Sequence, residues 1–315
     1  MRFPWQKPPA VDPCMGDARG RAIRQALAGR DWPAVRGLLD GVTDPDDRAF
    51  YMDICSHVDG VQDWIGEWIA AEPDSTLPLL IKGAHGVSWA WEARGGAYAA
   101  HTSEQRFREF HRRLEMAEDC LDEVVGRDPD DTTAWTFLVM SARGRGVGEE
   151  EAARRFGNVV SRHPSHVMAH EQMLQYLCAK WHGSQEEMFD FARKSVVGSS
   201  PGGRLGHLVA IAHIEQWLSL PSGEDSLHMR HPGVRAELRT VADRSVNHPG
   251  HRRGRRWPVP YNVFAVAFYL ADDFDACRGQ LEMIGDNVTD SPWYFLGEDP
   301  ARVFTRVRKE VAGRR

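Results

Sequence analysis

Side chains able to do chemistry gather in HPSHVMAHEQMLQYLCAKWHGS, residues 163 to 184. His166 and His170 stand four apart, so on a helix their rings share a face, and Glu171 follows directly. Further along lie His207, His213 and Glu215. Neutral imidazoles joined by a carboxylate suit zinc or iron, and without a metal they suit general acid–base transfer. The order here is HxxxHE rather than HExxH, so the helix-borne zinc-protease pattern is absent. The same histidines also make good core residues when a ring nitrogen donates to a neighbouring carbonyl. A polar pocket of His166, His170, His207 and His213, with Glu171 and Glu215, is one reading. Inward packing of these rings is the other, and it is the expectation adopted, with no resident metal and no cofactor.

Three further features carry possible chemistry. Arg252, Arg253, Arg255 and Arg256 form a basic knot beside Trp257, an anion-binding candidate because guanidinium forks bind carboxylate and phosphate bidentately. The pairs His228/His231 and His248/His251 lie in Pro/Gly-rich stretches read as loops, where paired histidines are usually solvated. In SWAWEARGG, Trp89 and Trp91 are two apart and face different ways on one helix: one enters the core, the other seals a neighbouring helix or stacks on a ligand. Gly83, Gly86, Gly95 and Gly96 surround them. Glycine costs about 1 kcal/mol inside a helix, so close helix contact or a kink is expected there. No phosphate-loop, dinucleotide or G-x-S-x-G pattern occurs.

Composition narrows the classes. A chain of 315 residues with 42% hydrophobic side chains can bury a large core. A net charge of −6 argues against duplex nucleic acid as partner, which needs a strongly basic face. Cys14, Cys55, Cys120, Cys178 and Cys277 are scattered and never spaced as C-x-x-C, which excludes a zinc ribbon and suits thiols packed as small apolar groups in a reducing compartment. The opening MRFPWQKPPAVDPC has prolines where a signal peptide needs an apolar run, and no stretch of 18 apolar residues exists. The expectation is a cytoplasmic protein with no membrane partner.

The elements that must position these side chains are helices. In TSEQRFREFHRRLEMAEDCLDEVV, Phe107, Phe110, Leu114, Ala117, Leu121 and Val124 recur at spacings of three and four and form one apolar stripe. Ser184 with Glu187 makes a capping box, and Asp44 before Pro45 marks another helix start. Strand patterns and hairpin turns are nearly absent. Four segments begin at Pro73, Pro129, Pro164 and Pro201, with intervals of 56, 35 and 37 residues.

With Trp135, Leu138, Ala152, Phe156 and Pro164 following Pro129 in order, the chain resembles the tetratricopeptide repeat; His170 and His207 stand where Trp135 stands in the best unit. The stretches WAWEARG, AHEQMLQYLCAKWHGSQEEMFDFAR and DSPWYF look like those of a group of bacterial helical-repeat proteins, a likeness that brings no catalytic residues. The resemblance implies an all-α, right-handed α-solenoid of TPR-like hairpins, in which a concave groove binds a protein or peptide segment. Met168, Glu171, Gln175, Glu215, Thr136 and Arg143 would line that groove, the two carboxylates pairing with a basic group. The expected organisation is an N-terminal extension (1–15), helical repeats (16–220), a Pro/Gly- and Arg-rich connecting segment (221–260), and a C-terminal hairpin with its tail (261–315). The leading functional expectation is an adaptor. An enzyme or small-molecule binder using the His/Glu pocket is the alternative, and a purely structural assembly module is the third.

Overall fold

The structure is a computed structural model and describes residues 9–95 and 103–314. The opening MRFPWQKP and Gly96 lie outside the described residues. The protein is all-helical: sixteen α-helices and no strand occur among the described residues. None of these helices is long and apolar enough to cross a membrane.

The chain divides into two compact units. One, residues 17–184, contains α1 (Ala18–Ala28), α2 (Trp32–Leu39), α3 (Pro45–Ser56), α4 (Ile65–Ala71), α5 (Leu77–Arg94), α6 (Glu104–Arg127), α7 (Thr132–Arg145), α8 (Glu149–Val160) and α9 (Val167–Tyr176). The other, residues 185–314 with 9–16, contains α10 (Gln185–Gly198), α11 (His207–Ser219), α12 (Glu224–Arg230), α13 (Pro232–Arg244), α14 (Pro258–Leu270), α15 (Phe274–Ile284) and α16 (Pro300–Gly313).

Local chemistry sets the helix starts. Asp17, Asp31, Asp44, Asp131, Asp273 and Asp299 each precede a helix and accept from a backbone N–H of its first turn. Such a cap contributes about 1 kcal/mol. The expected starts at Pro45 and after Ser184 are both present.

In the first unit α7 is the central helix. It packs against α3, α5, α6, α8 and α9, and its side chains are buried almost all the way round, with no polar face. The expected stripe of α6 is buried from Phe110 to Val124, while Phe107 is only half-buried. Gly83 and Gly86 allow α5 to lie close along α6: a Cβ would meet Leu121 Cγ at 2.6 Å and Ala117 Cβ at 2.9 Å. Close helix contact is thus the reason for these glycines. In the second unit α14 holds the centre, packed against α11, α12, α13 and α15.

The division at residue 184 falls inside the stretch read as one run of repeats. After α9 the chain folds back onto its own unit, where His182 Nε2–H donates to the Arg143 carbonyl at 2.8 Å and Trp181 meets Trp91. Within residues 221–260 the chain forms α12 and α13. Glu224 and Asp225 start α12, with His228 and Arg230 in its last turn. His231 caps α13 and Pro232 occupies its first turn. Residues 245–257 are non-helical, as the Pro/Gly/Arg-rich run suggests.

Candidate functional site

Three stretches far apart in sequence converge at one place in the first unit. Trp91 and Arg94 come from the last turns of α5, Arg143 from the last turn of α7, and Trp181 from the turn after α9. The two indoles meet edge to face, with centroids 5.5 Å apart and planes at 82°. Phe110 of α6 adds a second edge contact to Trp91 at 4.8 Å. The guanidinium carbon of Arg143 lies 4.5 Å from the Trp91 centroid and 5.2 Å from that of Trp181. Arg94 takes a similar place, 5.7 and 5.1 Å from the same two rings. Arg94 is buried, and desolvation pulls its pKa below the ordinary guanidinium value. Arg143, Trp91 and Trp181 are half-buried, so one edge of the cluster meets solvent.

The backbone around the cluster is locked. Gly183 is required, since a Cβ there would lie 2.3 Å from the Leu177 carbonyl oxygen. Tyr176 stacks on His182 at 4.8 Å and donates its hydroxyl to the Val147 carbonyl at 2.6 Å. Gly146 ends α7 in the left-handed region, at φ 63°, beside the His182 ring. The indole N–H of Trp91 is buried and has no hydrogen-bond partner among the described residues. Chemically this is a pair of cations over π faces with an indole N–H beside them, and Arg94 donates to the Gly95 carbonyl at 3.2 Å. Trp89, on another face of α5, carries Arg113 over its ring at 3.5 Å, so neither tryptophan is plain core.

The second unit holds a different cluster. His213 of α11 is 3% exposed. Its Nε2 is 3.0 Å from Glu237 Oε2 on α13, and its Nδ1 is 3.1 Å from His228 Nε2 on α12. Arg193 of α10 grips the same carboxylate at 2.7 and 3.0 Å, and Phe189 packs edge-on against the His213 ring. Hydrogen bonds from His213 and then Arg193 hold the Glu237 carboxyl down at about 2. Burial, with His213 beside it, pulls His228 down to about 4, so its ring is neutral at pH 7. The expectation that His228 lies in a solvated loop is corrected: it sits half-buried on α12, facing His213.

The remaining expected residues are placed as follows. His166 is the N-cap of α9, its Nδ1 accepting from Ala169 N–H at 3.2 Å. His170 is buried, donates from Nδ1 to the His166 carbonyl at 2.8 Å and packs edge-on against Phe156. Nearby, Asp46 of α3 accepts from Val167 N–H at 2.8 Å and fastens the start of α9. His207 is buried in the second unit and donates to the Arg204 carbonyl at 3.1 Å. Of the groove residues, Thr136, Met168, Glu171 and Glu215 are buried, while Gln175 and Arg143 are half-buried. Arg253 of the basic knot lies 4.1 Å over Trp257 and 5.1 Å over Tyr261. Arg252 and Arg255 are exposed and Arg256 is half-buried.

Among the described residues no group of three or more His, Cys, Asp or Glu side chains is placed to hold a metal ion. No protein-family model, no curated protein and no solved structure matches the chain. The site is therefore read from its own chemistry. The sequence reading missed the partnership of Trp91 with Trp181 and Arg143. Its only signal was the density of Trp, Arg and Gly in SWAWEARGG and KWHGS.

Proposed function

We propose that the protein is a binding scaffold of TPR-like hairpins that holds a segment of a protein partner, with an acidic group of that segment seated at Arg143 and Arg94. The hairpin reading is supported by α7 and α8, which pack together across a short turn with Trp135, Leu138 and Ala152 buried. The observation that carries the binding reading is the placement of two guanidiniums over Trp91 and Trp181, beside an indole N–H that has no hydrogen-bond partner among the described residues. A guanidinium has five N–H donors in a flat fork that matches the two oxygens of a carboxylate; one donor of Arg94 goes to the Gly95 carbonyl at 3.2 Å. Three separate segments, with Gly183 in a position only glycine fits, build this one cluster. Glu171 and Glu215 are buried, so the acidic group rather than a basic one is the better match for what half-buried Arg143 presents.

The test uses fluorescein-labelled hexaglutamate and hexalysine peptides with the full chain, read by anisotropy. Saturable binding of the acidic peptide alone is expected, weakening as salt rises. Arg143→Gln removes a charge-assisted contact of about 1.5–3 kcal/mol, a loss of roughly tenfold or more. Arg252→Gln, in the other unit, leaves the affinity unchanged. Binding that survives Arg143→Gln in a protein that is still folded sinks the reading.

A further inference from the structure

We propose that His213 and His228 form a site for an exchangeable divalent transition-metal ion of imidazole preference, with Glu237 orienting His213 from behind. This goes beyond the acidic-segment site, which lies in the other unit.

The tautomers follow from the partners. The Glu237 carboxylate, fixed by the Arg193 fork, only accepts, so His213 Nε2 carries the proton and His213 Nδ1 is left with its lone pair. A carboxylate behind a histidine whose other nitrogen is turned outward is the arrangement that orients and strengthens a metal-bound imidazole. In the metal-free state that lone pair accepts from His228 Nε2–H at 3.1 Å.

Ligation needs one change. His228 moves its proton from Nε2 to Nδ1, and both lone pairs then face one ion. No proton leaves the pair. Two nitrogens bound to one tetrahedral zinc ion lie about 3.3 Å apart at ordinary Zn–N lengths. The observed separation of 3.1 Å is within a few tenths of an ångström of that edge; because the ion would sit on the His213 lone pair that now accepts the hydrogen bond, His228 has to swing off that line while keeping its distance. His228 can turn: it is half-buried on the seven-residue α12, which follows Gly223 at φ 98°. His213, buried against Phe189 and held by Glu237, stays in place. Two protein ligands leave the other positions to water, which makes the ion exchangeable.

Zinc is titrated into the full chain by calorimetry, with nitrogen-15 spectra of the imidazoles alongside. One saturable, His228-dependent ion is expected, with the His228 ring changing tautomer on binding. His228→Ala lowers that affinity at least tenfold. Glu237→Gln weakens it by about 10–100-fold, the usual effect of removing such an outer partner. His228→Cys supplies a thiolate and restores binding. No saturable uptake below about 1 mM zinc overturns the proposal, as does uptake that His228→Ala leaves unchanged.

Discussion

The guanidinium of Arg143 lies over the indole of Trp91, 4.5 Å from its centroid, while the backbone carbonyl of the same residue accepts a hydrogen bond from His182. The last turn of α7 is thus tied to α5 through a side chain and to the turn after α9 through the backbone. Arg143→Ala removes the first tie and leaves the second. A desolvated cation–π contact contributes up to about 2 kcal/mol, so urea denaturation should show a loss of about 1–2 kcal/mol. Arg143→Lys keeps the charge but loses the planar guanidinium, and should fall between Ala and the parent. Equal stability of all three would show that the stack contributes nothing.

The α5–α6 contact sets two glycines in contrast. At Gly83 a Cβ would press into Leu121 and come within 3.1 Å of the Ala117 carbonyl, so Gly83→Ala should destabilise by about 1–3 kcal/mol despite alanine's better helix propensity. At Gly126, exposed near the end of α6 with nothing within 4 Å, the same change should stabilise by about 0.5–1 kcal/mol. Thermal melts of the two variants should therefore move in opposite directions.

The close approach at Gly83, the stripe of α6 and the starts at Pro45 and Gln185 were legible because they depend on local spacing and local caps. The sites were not. His213 meets Glu237 and His228, which stand 24 and 15 positions away on other helices, and no periodicity announces such a meeting. Trp91 and Trp181 come together only through the turn that Gly183 permits. The groove register is a different matter. It treats one face of each first helix as open, but α7 has no polar face to distinguish, and Thr136 is buried like its neighbours.

Acid should weaken the first unit through Glu151. Arg154 first, then Arg155, hold its carboxyl down at about 2, against 4.5 in an unstructured chain. Because the folded value is the lower one, the stabilisation is complete above about pH 4.5 and is lost as pH falls towards about 2. Full linkage would be about 3 kcal/mol, and solvent screening at this partly exposed site cuts it to about 1 kcal/mol. Glu151→Gln should lie below the parent in stability at pH 7 and meet it near pH 2, in urea denaturation across that range.

All five cysteines are free and buried, and burial pushes the thiols of Cys55 and Cys277 up to about 12. The thiolate is the reactive form, so native protein should resist a thiol-specific reagent at pH 8. Unfolding in guanidinium should release five reactive thiols per chain. Rapid labelling of the native protein would mean that a packed region opens readily.

Gly183 offers the sharpest test of the link between loop geometry and binding. A Cβ at this position would stand 2.3 Å from a backbone oxygen that no rotamer change can move. Gly183→Ala must therefore shift the turn after α9, and with it Trp181 and His182. The cluster would lose its edge-to-face indole pair and its hydrogen bond to the Arg143 carbonyl. The helices themselves do not depend on this turn, since α5, α6 and α7 pack on one another. The variant should keep its far-ultraviolet circular dichroism while losing near-ultraviolet tryptophan signal and acidic-peptide affinity together. Gly157→Ala, with open space around its Cβ, serves as the control and should change neither. If Gly183→Ala loses the tryptophan signal but binds the acidic peptide as before, Trp181 is a packing residue and the peptide is held elsewhere.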